Sequence, residues 1–342
     1  MKTVLFLTRH LINWHRQFPC NETVWGDCRF IFHDDGRPYD YLVVWDRPAK
    51  PIRRRCAFAN TIQVDTEPAA LWPYDTYFRD QFARCLHFDP NVNHPGAISS
   101  PGYLNWLIGV NTPKTEKAEL DWHQLQALFD EPRSKLISII ASNASAIPGH
   151  FIRSNFAKAL KANFGDQLDL FGRGLRDMPD KAEALRGYRF HIAIENSSYS
   201  NYFSEKITDA FISGAMPIYW GCPNISEYFP ENSYVSIDVA DIPGSIKRIE
   251  AAISNNLDIT HRDAVREARD RVFYQHNIFP ALAAQIAKIE QGGVRPKPHT
   301  NNPLVFAAWI FPYPEKLLYN RVVRRIHREL RRFTSKTMLM AR

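Results

Sequence analysis

The 342-residue chain is 45% apolar and carries a formal charge of +7, enough material for two ordinary globular domains. No apolar run approaches the roughly 20 residues that span a bilayer. The five cysteines (Cys20, Cys28, Cys56, Cys85, Cys222) have neither Cys-x-x-Cys spacing nor a companion histidine cluster, which argues against a disulfide framework and a zinc site. The charge is also local: nine Lys/Arg against two Glu lie from Glu315 to Arg342, the whole of the excess. The body is near neutral, so a nucleic-acid partner is not expected.

In chain order, residues 3–7 form a short apolar run that soon meets charge at Arg9. This reads as a first strand and not a signal peptide, and the expected location is the cytoplasm. Residues 41–45 and 61–64 are similar runs bounded by polar or turn residues. Residues 69–84 mix aromatic and polar side chains without strand alternation, and 89–102, dense in Pro, Gly, Asn and Ser, read as a loop. At Glu131-Pro132 the pattern resets, and a buried strand is predicted at 136–141. Helices at 153–162, 180–187, 205–213, 245–254 and 260–274 then interleave with strands at 168–171, 190–194, 217–220 and 234–237.

This alternation predicts βαβ units and parallel sheets. The expected fold class is α/β of GT-B architecture, with two Rossmann-like domains facing a cleft at the carboxyl ends of their strands. The expected divisions are 1–132, 133–290 and a tail at 291–342. In that tail Leu318, Val322, Ile326, Leu330 and Phe333 make one apolar stripe among arginines. Such a basic amphipathic helix suits the surface of an anionic membrane; its alternative is to pack on the body with a solvated basic face.

The most informative segment runs from Phe190 to Asn224: a buried strand ending Glu195-Asn196, a polar loop, Tyr202-Phe-Ser-Glu205-Lys206 opening a helix, Gly214 closing it, and a second strand at Pro217-Ile-Tyr-Trp-Gly-Cys-Pro223. Ser204 is a plausible N-cap, and the free N–H groups and dipole of the next turn favour phosphate. Lys206 adds a full charge for a departing diphosphate. Glu205 can accept from sugar hydroxyls or stabilise a cationic sugar ring. Alone, Ser-Glu-Lys is an ordinary helix start.

The segment closely resembles the signature of the family 10 glycosyltransferases, the α-1,3/4-fucosyltransferases that use GDP-fucose. Residues 136–240 carry the likeness most specifically, and the missing N-terminal anchor of the vertebrate members favours a bacterial-type form. The resemblance implies Tyr202, Glu205 and Lys206 as donor-binding residues with Asn196 close by, and Glu195 as a residue that positions the loop. It also implies that Arg153, after Ser142-Asn143 and at a helix start, binds the pyrophosphate, a task that suits the planar guanidinium fork. Leu170-Phe-Gly172-Arg173-Gly174 is similar to the family's Phe-Gly-x-Gly turn.

A direct displacement at the anomeric carbon needs one acceptor-side carboxylate as base. Thr61-Ile-Gln-Val-Asp65-Thr66-Glu67-Pro68 has the form of a strand followed by that residue, and Glu67 is nominated, with Asp65 as the rival. The expected catalytic pair is Glu67 and Glu205. No Asp-x-Asp stands at a convincing strand end, which fits a reaction without a metal or other cofactor, GDP-fucose being a co-substrate. The expected activity is inverting fucosyl transfer to a glycan or lipid-linked glycan, such as a polysaccharide or lipopolysaccharide precursor. The alternatives are another nucleotide-sugar donor and a non-catalytic relative that binds sugar nucleotides or glycans.

Overall fold

The computed structural model describes residues 1–20, 22–68, 74–101, 103, 105–110, 119–141, 148–172, 176, 178–292 and 304–305. The basic stripe within 315–342, Ser142-Asn143 and Arg173 lie outside the described residues. No helix among the described residues is long and apolar enough to cross a membrane.

The strands are β1 (Lys2–Leu7), β2 (Val24–Trp25), β3 (Cys28–Ile31), β4 (Tyr41–Trp45), β5 (Ile52–Arg53), β6 (Thr61–Val64), β7 (Arg84–His87), β8 (Ala97–Ser99), β9 (Lys135–Ile140), β10 (Leu168–Phe171), β11 (Tyr188–Ile194), β12 (Met216–Trp220), β13 (Val235–Ser236) and β14 (Leu304–Val305). The helices are α1 (Thr76–Arg79), α2 (Trp122–Ala127), α3 (Pro148–Phe164), α4 (Ala182–Leu185), α5 (Glu205–Ser213), α6 (Ile242–Ser254), α7 (Leu257–Thr260), α8 (Arg262–Tyr274) and α9 (Ile278–Glu290).

The first sheet has the order β2-β3-β1-β4-β6-β7-β8, and the second β10-β9-β11-β12-β13. All pairings in both are parallel except the β2–β3 hairpin. Strands covered on both faces need continuous apolar runs and not alternation. β4 is buried at all five positions and β11 at six of seven, which is why both stand out in the sequence. The strand order reverses at β1/β4 in the first sheet and at β9/β11 in the second. Each reversal opens a crevice at the carboxyl ends of its strands, the usual ligand position in such sheets.

The architecture is the expected one, with differences in its first half. Residues 89–102 contain β8, three residues long and at the sheet edge, too short to show a pattern among the turn residues. Strands β2, β3 and β7 also escape the sequence reading. The boundary at 132 and the assignment of 133–290 to one domain need correction. Trp106, Ile108, Trp122, Leu125 and Phe129 pack in the core of the second domain. Helix α9 returns to the first: Ile278, Phe279, Leu282 and Ile286 lie in one cluster with Val4, Phe6, Phe18 and Phe30. Asn277 makes the crossing specific. Its side chain caps α9 by accepting from Phe279 N (3.1 Å) and donates to the Gln17 carbonyl (2.8 Å) with no exposure to solvent.

Candidate functional site

The second crevice is built by helix starts. After β11 the chain turns through Asn196 to Ser204, whose side chain accepts from Lys206 N and caps α5. Gly214 ends that helix at φ +75°, a left-handed residue that glycine adopts without strain, and an added Cβ there would stand 2.7 Å from the Phe129 carbonyl. Glu195 is fully buried and accepts from Ser204 N (2.8 Å) and Ser204 Oγ (2.6 Å), so it fixes the entry of α5 from beneath. It can do so because residue 221 is glycine: a Cβ there would lie 2.3 Å from Glu195 Cγ.

Around this junction lies a cavity of about 250 Å³, whose lining includes Arg153, Lys181, Asn196, Glu205, Lys206 and Asp209. Arg153, on α3 after β9, donates Nη1 to Asn196 Oδ1 at 2.7 Å, joining the two strands of the switch point. Its Nε is buried without a hydrogen-bond partner, a donor facing no protein acceptor. Lys206 Nζ stands 3.0 Å from Ser204 Oγ, 3.3 Å from Glu195 Oε2 and 3.6 Å from Glu205 Oε1. Burial works against its charge, but Glu205 and Glu195 win and raise its pKa. Burial likewise opposes ionisation of Glu205, and Lys181 and then Lys206 overcome it, so its pKa is lowered. Burial lowers the Arg153 pKa against the pull of Glu195 and Glu205. The arrangement holds three cations at a helix N-terminus beside an ionised carboxylate. That combination suits a diphosphate linked to a polyol.

Tyr202, expected at the donor site, lies within the electrostatic reach of Glu195, Glu67, Glu205 and Arg153. Its ring is 1% exposed and packs on Phe88 of the first domain, with centroids 4.8 Å apart, and it is not among the residues lining the cavity. That packing ties the loop before α5 to the opposite domain, beside a second link from Asn201 Nδ2 to Ser99 Oγ at 2.8 Å.

Across the cleft, β6 delivers the two candidate bases to different places. Asp65 is buried, its Oδ2 held 2.6 Å from Arg79 Nη2. Burial raises its pKa against that partner. Glu67 is exposed as a residue, while the surrounding protein partly desolvates its carboxyl. That burial pushes its pKa up to about 7; the charge of Glu205 pushes the same way, and Lys206 opposes it. Groups of the two domains therefore share one electrostatic field.

Two features had no sequence motif to announce them. Lys181, at the start of α4, places Nζ 3.0 Å from Glu205 Oε1 and 3.8 Å from Asp209 Oδ2. At the first switch point, Asp46 follows β4 in the left-handed region (φ 63°). Its buried carboxylate holds Arg9 Nε (2.8 Å) and His10 Nε2 (2.8 Å) and accepts from Arg47 and the Tyr74 hydroxyl. Burial resists that charge, but these hydrogen bonds hold its pKa down at about 2. Their only sequence signal is position, immediately after β1 and β4. No group of three or more His, Cys, Asp or Glu among the described residues could hold a metal ion.

Comparison with known proteins bears on the second domain. Residues 131–250 match the family model of glycosyltransferase family 10 (fucosyltransferase) C-term. The chain is 27% identical over 179 residues to the Helicobacter pylori "Alpha-(1,3)-fucosyltransferase FucT", a match covering 49% of this chain and 35% of that protein. It is 27% identical over 163 residues to an Arabidopsis thaliana "Putative fucosyltransferase-like protein", covering 45% and 28%. The chain thus spans about a third of the length of these relatives. Among solved structures, an α1,3-fucosyltransferase with GDP-fucose aligns over 88% of this chain and 93% of its own, at 17% identity and a TM-score of 0.47. Residues 131–250, within the second domain, are thus the part of this chain that matches glycosyltransferase family 10 (fucosyltransferase) C-term.

Proposed function

We propose that the chain is an inverting glycosyltransferase that moves fucose from GDP-fucose to a glycan hydroxyl, forming an α-1,3 linkage on a polysaccharide or lipopolysaccharide precursor. The observation that carries this reading is the electrostatic contact between Glu67 on one domain and Glu205 and Lys206 on the other. It supports reading Glu67 as an acceptor-side base opposite a diphosphate site.

In the reaction, the acceptor oxygen attacks the anomeric carbon as the bond from that carbon to the β-phosphate oxygen breaks. Glu67 takes the hydroxyl proton, and its pKa of about 7 suits a base that must both bind and release a proton near neutrality. GDP leaves with the bonding electron pair, its charge met by Arg153, Lys206 and the N–H groups opening α5, so no divalent cation is needed. Glu205 faces the sugar and stabilises positive charge on its ring. Asn196 holds Arg153 in place, and Tyr202 fixes the loop that carries the donor residues. Asp65 supports the fold through Arg79.

The basic segment 315–342 would hold the enzyme on an anionic membrane face in the cytoplasm, where lipid-linked acceptors reside. Binding to vesicles with and without anionic lipid tests that part. For the reaction, Glu67→Gln should abolish transfer from GDP-fucose while GDP affinity changes less than about threefold. Loss of both would return Glu67 to a structural role. Retained transfer would remove it as the base.

A further inference from the structure

Among the described residues that line the cavity, Lys181 is the cation that the proposed reaction leaves without a task. Its Nζ is 3.0 Å from Glu205 Oε1 and 3.8 Å from Asp209 Oδ2, and its side chain is 22% exposed, within reach of the cavity. Lys206 approaches the same Glu205 oxygen, but at 3.6 Å, and is shared with Glu195 and Ser204. Lys181 itself bridges two acids. Asp209 is 1% exposed and accepts at both oxygens from Leu107 N (3.1 and 3.2 Å).

The local charges decide what this bridge does. Glu195, Glu205 and Asp209 face Arg153, Lys181 and Lys206, and burial pushes the Asp209 pKa up to about 7. Glu67 adds a fourth acid from the opposite domain. A bound diphosphate draws Arg153 and Lys206 to itself, and Lys181 is then the cation left on Glu205. Without it, Glu205 would either keep Lys206 from the phosphates or take up a proton among the other acids. A protonated Glu205 cannot stabilise a cationic sugar ring.

On the reading of the donor site given above, we propose that Lys181 is the positioning residue that keeps Glu205 ionised and oriented, leaving Lys206 to the diphosphate. It touches neither the reacting carbon nor the phosphates. Removing it should impair turnover more than donor binding and make activity more sensitive to acid. The ionisation of Glu205, opposed by burial and restored first by Lys181 and then by Lys206, agrees with this division of labour.

The experiment compares the full-length protein with Lys181→Met, Lys181→Arg and Lys181→Met/Asp209→Asn. Folding is checked by thermal melts and donor affinity by calorimetry with GDP. Lys181→Met should lose about 100-fold in kcat, the scale of one preorganised electrostatic group, with GDP affinity within about fivefold. Its acid limb should move upward by about one pH unit, and Lys181→Arg should restore most of the rate. The double variant, which removes the Asp209 charge, should stay slow. Overturning results are an unchanged kcat and pH profile, a loss of GDP affinity as large as the loss of rate, or recovery in the double variant. The last would mean that Lys181 serves Asp209 alone. If Lys181→Met does not fold, Lys181→Gln is read the same way. If the wild type neither binds GDP nor turns over, the donor reading fails first. The proposal is then judged separately by carbon NMR of labelled glutamate: an unmoved Glu205 titration in the variant overturns it.

Discussion

Replacing Glu205 with Gln should move the titration of a residue on the other domain. Glu67 titrates at about 7, pushed up first by burial and next by the negative charge of Glu205, with Lys206 pulling the other way. At an effective dielectric of about 20, a like unit charge across a cleft shifts a carboxylate by on the order of one to two pKa units. Glu67 is exposed, and solvent screening reduces this to about one unit. The substitution also frees Lys181 and Lys206 from Glu205, which acts in the same direction. A base is active when deprotonated, so kcat/KM should climb with pH through about 7 in the wild type. In Glu205→Gln the climb should fall near pH 6, whatever the absolute rate. Initial rates between pH 5 and 9 at low donor concentration measure it. A limb that stays at 7, or moves upward, would refute the claim that Glu67 and Glu205 face each other across the cleft.

Two further outcomes follow from packing and burial. Gly221→Ala drives a Cβ to within 2.3 Å of Glu195 Cγ and 2.6 Å of the Tyr219 hydroxyl, so a melt should show about 1–3 kcal/mol of lost stability together with weaker GDP binding. Unchanged binding would mean that Glu195 does not set the donor loop. His191 lies buried with Nδ1 2.9 Å from Ser138 Oγ, and burial, helped by Lys181, lowers its pKa to about 3. The unfolded chain takes up that proton near pH 6.5 and the folded chain does not. Stability should therefore fall as pH drops below 6.5, by about 2 kcal/mol at pH 5, and denaturant melts of His191→Gln should lack that component.

The segment from β11 to β12 was legible because its physics is local. Both strands are covered on both faces and so appear as unbroken apolar runs, Ser204 caps the helix between them, and Gly214 ends it. Arg153 and Asn196 were each legible only through the family resemblance; the structure joins them at 2.7 Å, after β9 and β11, the strands that flank the reversal in sheet order. The domain boundary was not legible, because the apolar stripe of α9 does not say which core it covers. Lys181 lies 24 residues before its carboxylate partner and in no motif, so only the tertiary fold pairs them. The packing of Tyr202 on Phe88 was hidden for a related reason: Phe88 belongs to the other domain. Asp65 and Glu67, two residues apart in sequence, separate only once Arg79 is seen to claim the first.

The central claim is a GDP-specific diphosphate site at the start of α5, and calorimetric titration without added metal tests it most directly. Wild-type protein and Lys206→Ala should each be titrated with GDP, GDP-fucose, GDP-mannose and UDP. The account predicts that the wild type binds GDP and GDP-fucose and does not bind UDP, and that Lys206→Ala loses at least about tenfold in GDP affinity, the cost of one charge-assisted phosphate contact. Wild-type binding of UDP in preference to GDP, or GDP affinity unchanged in Lys206→Ala, would contradict it.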